Sequence, residues 1–387
     1  MRRSYQSYLI TLLLLTAAPS VNVWAATFSF DRHWAFPLGP QGTAPESYSE
    51  LEASLQPEDC GQCHEVPYRE WKKSRHSRAM GAGVSGQLHA PWLDEEGIML
   101  CMQCHAPLAE QSPLHELPDG SLVNNRDYDP TLKGRGITCA ACHVRRHLRY
   151  GPTPGKERME NLPHNGFVEV ARFGDSKFCR PCHQFGPGDN RVAGKLLQDT
   201  YGEWLKSSYP EKGIHCPNCH MPNREHTWPG IHDPDMVRKG ISIDAVKKEN
   251  RVTVTLSNIG VGHNFPTYVT PRITLRGAVL DESGEEIQRT VDEDQLGWGV
   301  TLDLTEEYYD SRIPPGGEYR ADFDWVPVER GKKIRIIIQV FPDDFYTRFF
   351  KALLEAPPDG IDLAMIRIAY EESKKSAYTL FTREWEI

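Results

Sequence analysis

Cys60-Gly61-Gln62-Cys63-His64 is a two-cysteine turn closed by histidine, and the chain writes it four more times. The copies are Cys101-Met102-Gln103-Cys104-His105, Cys139-Ala140-Ala141-Cys142-His143, Cys179-Arg180-Pro181-Cys182-His183 and Cys216-Pro217-Asn218-Cys219-His220. Together they use all ten cysteines. Two thiols one helical turn apart can each form a thioether with one vinyl group of a porphyrin, and the next histidine then lies beneath the iron as proximal ligand. Zinc ribbons would consume the pairs two at a time, leave one over, and need no histidine after each pair. A disulfide framework would not space every cysteine identically. The sequence therefore predicts five covalently attached haem c groups, with His64, His105, His143, His183 and His220 as proximal iron ligands.

The N-terminus agrees on the compartment. Arg2 and Arg3 precede an apolar run from Tyr8 to Ala18, and the small-residue site Val23-Trp24-Ala25 comes after it. This reads as a secretory signal over residues 1–25, with the mature chain starting near Ala26 in the periplasm or outside the cell. No later stretch approaches the ~20 apolar residues of a transmembrane helix. A net charge of −9 without a basic block argues against nucleic acid. With haem propionates added, it favours a redox partner that docks through a basic surface, such as a membrane quinol-linked donor or another cytochrome.

The chain changes character near residue 240. Residues 26–240 are punctuated by Gly and Pro and predict a loop-rich, mainly α domain in which porphyrins supply much of the core, with short helices at Tyr68–Arg78 and Thr200–Ser208. Residues 241–387 lack cysteine, and their period-two segments predict an all-β sandwich-like domain. Its clearest strands are Arg251–Ser257 and Arg272–Leu280, the second ending in a turn at Asp281–Gly284. Tyr319–Trp325, Lys333–Phe341 and Ala364–Tyr370 are expected as further strands, and Phe345–Leu354 as a helix. The acidic groups Asp292-Glu293-Asp294 and Asp343-Asp344 read as solvated loop residues.

One internal repeat stands out. Tyr68-Arg69-Glu70-Trp71-Lys72-Lys73-Ser74 and Tyr201-Gly202-Glu203-Trp204-Leu205-Lys206-Ser207 share Y-x-E-W-x-K-S. The first copy continues to His76 and the second to Tyr209, which suggests a distal ligand in one and its loss in the other.

The five motifs with the Y-x-E-W-x-x-S-x-H segment resemble the multihaem c-type cytochromes related to the tetrahaem cytochrome of ammonia oxidisers. The stretch from Cys216 through His226 and His232 to Pro234 is similar to a pattern in that group, and Val261–Thr267 resembles the start of a β-rich domain carried by some members. The resemblance implies a multihaem scaffold and leaves the physiological role open, because carriers, reductases and filaments share it. All five motifs here end in histidine, so the lysine-ligated haem of pentahaem nitrite reductases has no counterpart.

Ten histidines remain after the proximal set. His76, His164, His226, His232 and His263 are the expected distal ligands. His147 and His215 lie too close to motif residues to reach an opposite face, Met221 likewise, and His33, His89 and His115 read as surface residues. Met80 and Met236 are the thioether alternatives.

These readings favour electron transfer over catalysis: histidine on both sides of each iron leaves no place for substrate. Two rivals stay open at this point. One is an oxidoreductase with a single open haem acting on a small nitrogen or sulfur compound, with Tyr209 as its hint. The other is a subunit of an extracellular cytochrome filament, in which a remote histidine such as His33 or His263 crosses between chains of an oligomer.

Overall fold

The computed structural model describes residues 28–117, 119–152, 163–328 and 331–387; the expected signal over 1–25 and the start at Ala26 lie outside the described residues. Up to Gly240 the helices are short and loops dominate. Those around the motifs are α1 (Pro57–Cys63), α2 (Glu65–Lys73), α3 (Ala82–Gln87), α4 (Glu95–His105), α5 (Cys139–His143), α6 (Arg180–His183), α7 (Thr200–Leu205) and α8 (Cys216–His220). Four of the five motif histidines end one of these helices, and His64 stands between α1 and α2. Proline at the first or second helical position starts α1, α6 and α8, where a missing N–H costs nothing. Asp94 caps α4 by accepting from the Gly97 N–H at 2.8 Å. One helical turn sets the two cysteines of a motif on the same face.

The helix expected over 68–78 breaks at Ser74, whose extended backbone (ψ 165°) ends α2 before a separate 3₁₀ turn, His76–Arg78. The break swings His76 off the α2 axis.

From Ile241 the chain is β-rich. Strands β1 (Ile241–Lys248), β2 (Arg251–Asn258), β3 (Arg272–Leu280), β4 (Asp292–Val300), β5 (Glu307–Asp310), β6 (Glu318–Asp324), β7 (Lys333–Phe341) and β8 (Tyr378–Glu386) form two sheets, ordered β5-β4-β3-β7-β8 and β6-β2-β1. All pairings in them are antiparallel. Val252, Val254 and Leu256 of β2 face Ile273 and Leu275 of β3 and Ile334, Ile336 and Ile338 of β7 in one core between the sheets. Alternation at period two produces this arrangement, each strand turning every second side chain inward.

Two expectations need correction. Residues Ala364–Tyr370 are not a strand: they belong to α10 (Leu363–Lys375), which buries Ile366, Ala369 and Ser373 at helical spacing after the Asp362 cap. With α9 (Asp344–Glu355), α10 packs on α3, where a Cβ on Gly83 would stand 2.9 Å from Phe350 and one on Gly86 3.0 Å from Ile366. The acidic groups also differ in part: Asp292–Asp294 opens β4 instead of lying in a loop, with Asp292 and Glu293 exposed as expected and Glu293 bonded to Arg276, while Asp343 is buried and Asp344 bonds Arg272 and Arg348.

Candidate haem sites

Three motif histidines each face a second imidazole at the same separation. His183 and His76, His143 and His226, and His220 and His263 all have ring centres 6.3 Å apart. Two metal–imidazole bonds of about 2 Å each, plus about 1 Å from each ring centre to its coordinating nitrogen, span the same distance of about 6 Å. Burial drives the pKa of His183, His143 and His263 down to about 4 and that of His76 to about 3, and lowers that of His220. All five rings are therefore neutral at neutral pH, the form an iron ligand must take.

Which ring nitrogen is engaged separates ligand geometry from ordinary packing. Nδ1 of His105 bonds the Ala79 carbonyl at 2.7 Å, His143 the Tyr150 carbonyl at 2.7 Å, His220 the Pro229 carbonyl at 2.8 Å and His263 the Asn264 carbonyl at 2.8 Å. His183 Nδ1 meets the Tyr268 hydroxyl at 3.0 Å. Each carbonyl bond fixes the tautomer that presents Nε2 for coordination, and the Tyr268 contact leaves Nε2 of His183 free in the same way. His164 obeys the same rule through Gly166 at 2.8 Å, and it lies near His64, whose pKa is lowered by burial first and then by His164.

His33 and His147 use Nε2 instead, on the carbonyls of Cys142 and Gly42. His33 is 4 % exposed, so it is a core residue and not the surface residue expected, and burial puts its pKa at about 3. His232 also differs from its expected role. Its Nε2 contacts both Asp343 oxygens at 3.0 Å, and among the described residues no motif histidine ring faces it. Met80 is buried among Met102, Ala106 and Val84 as core packing.

The protein around these motifs fits haem. None of the ten cysteines is in a disulfide. Among the described residues no three His, Cys, Asp or Glu side chains converge on a bare metal site. Tyr346, 37 % exposed, stands near Asp343, Cys101 and Arg75.

Motifs also touch one another. Cys60 contacts Cys139, Cys104 contacts Cys182, and Cys179 contacts Cys216. Cys142 is close enough to Cys179 and Cys182 to raise both thiol pKa values, after their cysteine partners and burial. The links run first to third, third to fourth, and fourth to both second and fifth. At the third-to-fourth step Trp228 lies between the facing imidazoles, 5.4 Å from His226 and 4.5 Å from His76. It holds a left-handed backbone (φ 43°), strained for so bulky a residue.

Nothing in the sequence singles out Trp228, Tyr268 or the carbonyls that orient the rings. For the carbonyls no signal exists, since any residue supplies one.

The family described as cytochrome c554 and c-prime matches residues 59–144, which hold the first three motifs. A penta-heme cytochrome c552 from Thermochromatium tepidum has the same fold, with a TM-score of 0.60 at 18 % identity, covering 88 % of this chain and 100 % of that one. Nothing among the curated proteins matches. The family match and the shared fold together support a multihaem c-type cytochrome, and among the described residues no helix is long and apolar enough to cross a membrane.

Proposed function

We infer that this is an exported, periplasmic or extracellular, pentahaem c-type cytochrome that relays electrons between redox partners. When bound, haem supplies the one-electron iron couple. The chain's own residues do the rest. Cysteines in contact between motifs hold neighbouring groups close, and His76, His226 and His263 close the far side of three sites against substrate. His164 would do the same for the first motif. The carrying observation is the 6.3 Å separation repeated at three motif histidines. Residues 26–240 would form the haem domain and 241–387 a sandwich-like domain that lends it His263.

A second reading, an oxidoreductase with one open haem, is favoured at a single place. Among the described residues no histidine ring faces His105, while Tyr346 lies near Cys101, and Asp343 is shared by Arg75 (3.5 Å) and His232 (3.0 Å). These donors suit a small polar nitrogen or sulfur ligand. Tyr209 no longer carries that reading, because it packs beside Gly262 and Cys219.

One electron paramagnetic resonance experiment tests both. The oxidised protein should show four low-spin haems that bleach on reduction and return when a soluble cytochrome accepts the electrons. It should also show one high-spin haem that cyanide converts. Failure of the low-spin haems to cycle contradicts the relay, and five low-spin haems contradict the open site.

A further inference from the structure

The repeated Y-x-E-W segment is used twice in the same way. Trp71 donates its indole N–H to the Ile137 carbonyl at 2.7 Å, and Trp204 donates to the Ile214 carbonyl at 3.1 Å. Each isoleucine stands two residues before a motif, at Cys139 and at Cys216. Both tryptophans are 7 % exposed, and each packs on its own copy's tyrosine, Tyr68 or Tyr201.

The glutamates reach the other side of the same two sites. Glu70 accepts the backbone N–H of His226 at 2.8 Å. Glu203 accepts the backbone N–H of Asn264, next to His263, at 3.1 Å, and its other oxygen takes the Asn264 side chain at 2.8 Å. His226 faces His143 and His263 faces His220. The first copy therefore ties down both sides of the third motif, and the second copy both sides of the fifth. A sequence repeat kept only for packing has no reason to place its tryptophan bond at the same offset from two different motifs and its glutamate bond at or beside the facing histidine of each. Glu52 uses the carboxylate half of the device alone, accepting the His164 backbone N–H at 2.6 Å.

We propose that Y-x-E-W is a two-sided haem clamp: its tryptophan fixes the segment that carries the proximal histidine, and its glutamate fixes the loop that presents the distal one. Glu70 and Trp71 are then positioning residues for the third haem, and Glu203 and Trp204 for the fifth. A backbone N–H bonded to a buried or half-buried carboxylate is a charge-assisted bond, stronger than a neutral one, so each loop is held at the separation that coordination needs. The proposal rests on His226 and His263 being distal ligands.

The test uses the full-length, haem-loaded protein and the spin state of its haems. Glu70→Ala should convert one haem from low to high spin, whereas Glu70→Gln, whose amide oxygen still accepts the N–H, should keep it low-spin. In a His226→Ala background, where that haem is already high-spin, Glu70→Ala should add no further high-spin haem. Glu203→Ala should behave the same way against His263→Ala. Should Glu70→Ala fold poorly, Trp71→Phe removes the N–H with little change of volume and should shift the low-spin signal of that one haem. Two outcomes overturn the clamp while the ligand reading stands: an Ala variant with the parent spectrum, or more high-spin haems in the double variant than in His226→Ala alone. An unchanged spectrum in His226→Ala overturns the ligand reading and the clamp with it.

Discussion

A histidine's neighbours decide what it can do, and here the deciding feature is which nitrogen is already engaged. Among the described residues His76 has no hydrogen-bond duty comparable to that of His33 or His147; it is half-buried, neutral and 6.3 Å from His183. Replacing it by alanine should therefore turn one further haem high-spin and leave the remaining low-spin haems unchanged. His76→Met should keep that haem low-spin and raise its reduction potential, since thioether ligation favours the reduced iron. Spectropotentiometry of the two variants checks both outcomes, and an unaltered spectrum in His76→Ala would contradict the assignment. At this scale the five motif histidines are plain in the sequence, because covalent attachment would require a fixed spacing. Distal ligands have no such requirement. His263 comes from a loop 43 residues beyond its partner His220, and only the fold shows that it arrives. His232 has an equally good pattern and meets Asp343 instead.

Among the elements, period-two strands are legible wherever one face is buried, as in β2 and β7, whereas β1, β4, β5 and β8 are not. In β4 the charged opening Asp292-Glu293-Asp294 masks the pattern, with Glu293 pairing to Arg276 on β3. The segment 364–370 reads as a strand because its apolar residues fit a strand as well as a helix until Ser373 and the Asp362 cap are included. The edge strand β5 is tied to the haem-bearing half: Lys195 reaches Asp310 at 2.7 Å and Glu307 at 2.8 Å, and Arg312 also bonds Asp310. Burial opposes ionisation of Asp310, but hydrogen bonds and charge from Arg312 and Lys195 outweigh it and hold its pKa at about 2, below the ordinary 3.8. A depressed carboxyl pKa gives stability that is full above the unfolded value and lost as pH falls through the folded one. The wild-type protein should accordingly exceed Asp310→Asn by up to about 2 kcal/mol above about pH 4, with the gap closing toward about pH 2. Urea unfolding of both proteins across that range measures it, and a gap independent of pH would contradict the pairing.

Across the whole molecule, the change of character near residue 240 is visible in the sequence as the end of the cysteines and the start of alternating strands. The interlock across it is not. His263, Asn264 and Thr267 bond or face groups of the haem-bearing half, and α9 and α10 pack on α3. Such contacts join residues far apart in the chain and leave no local periodicity. The same interlock explains how few regular elements suffice before residue 240: the sandwich covers part of that region, and bound haems would cover more of it. Ligand pairs, clamp and relay all rest on covalent haem at the motifs, five in all on the proposed reading, and the intact mass of the denatured protein measures their number directly. The predicted mass is that of the polypeptide from about Ala26 plus five haem groups, with no haem extracted into acidic organic solvent. A mass carrying four haems or fewer, or haem that extracts, would contradict it.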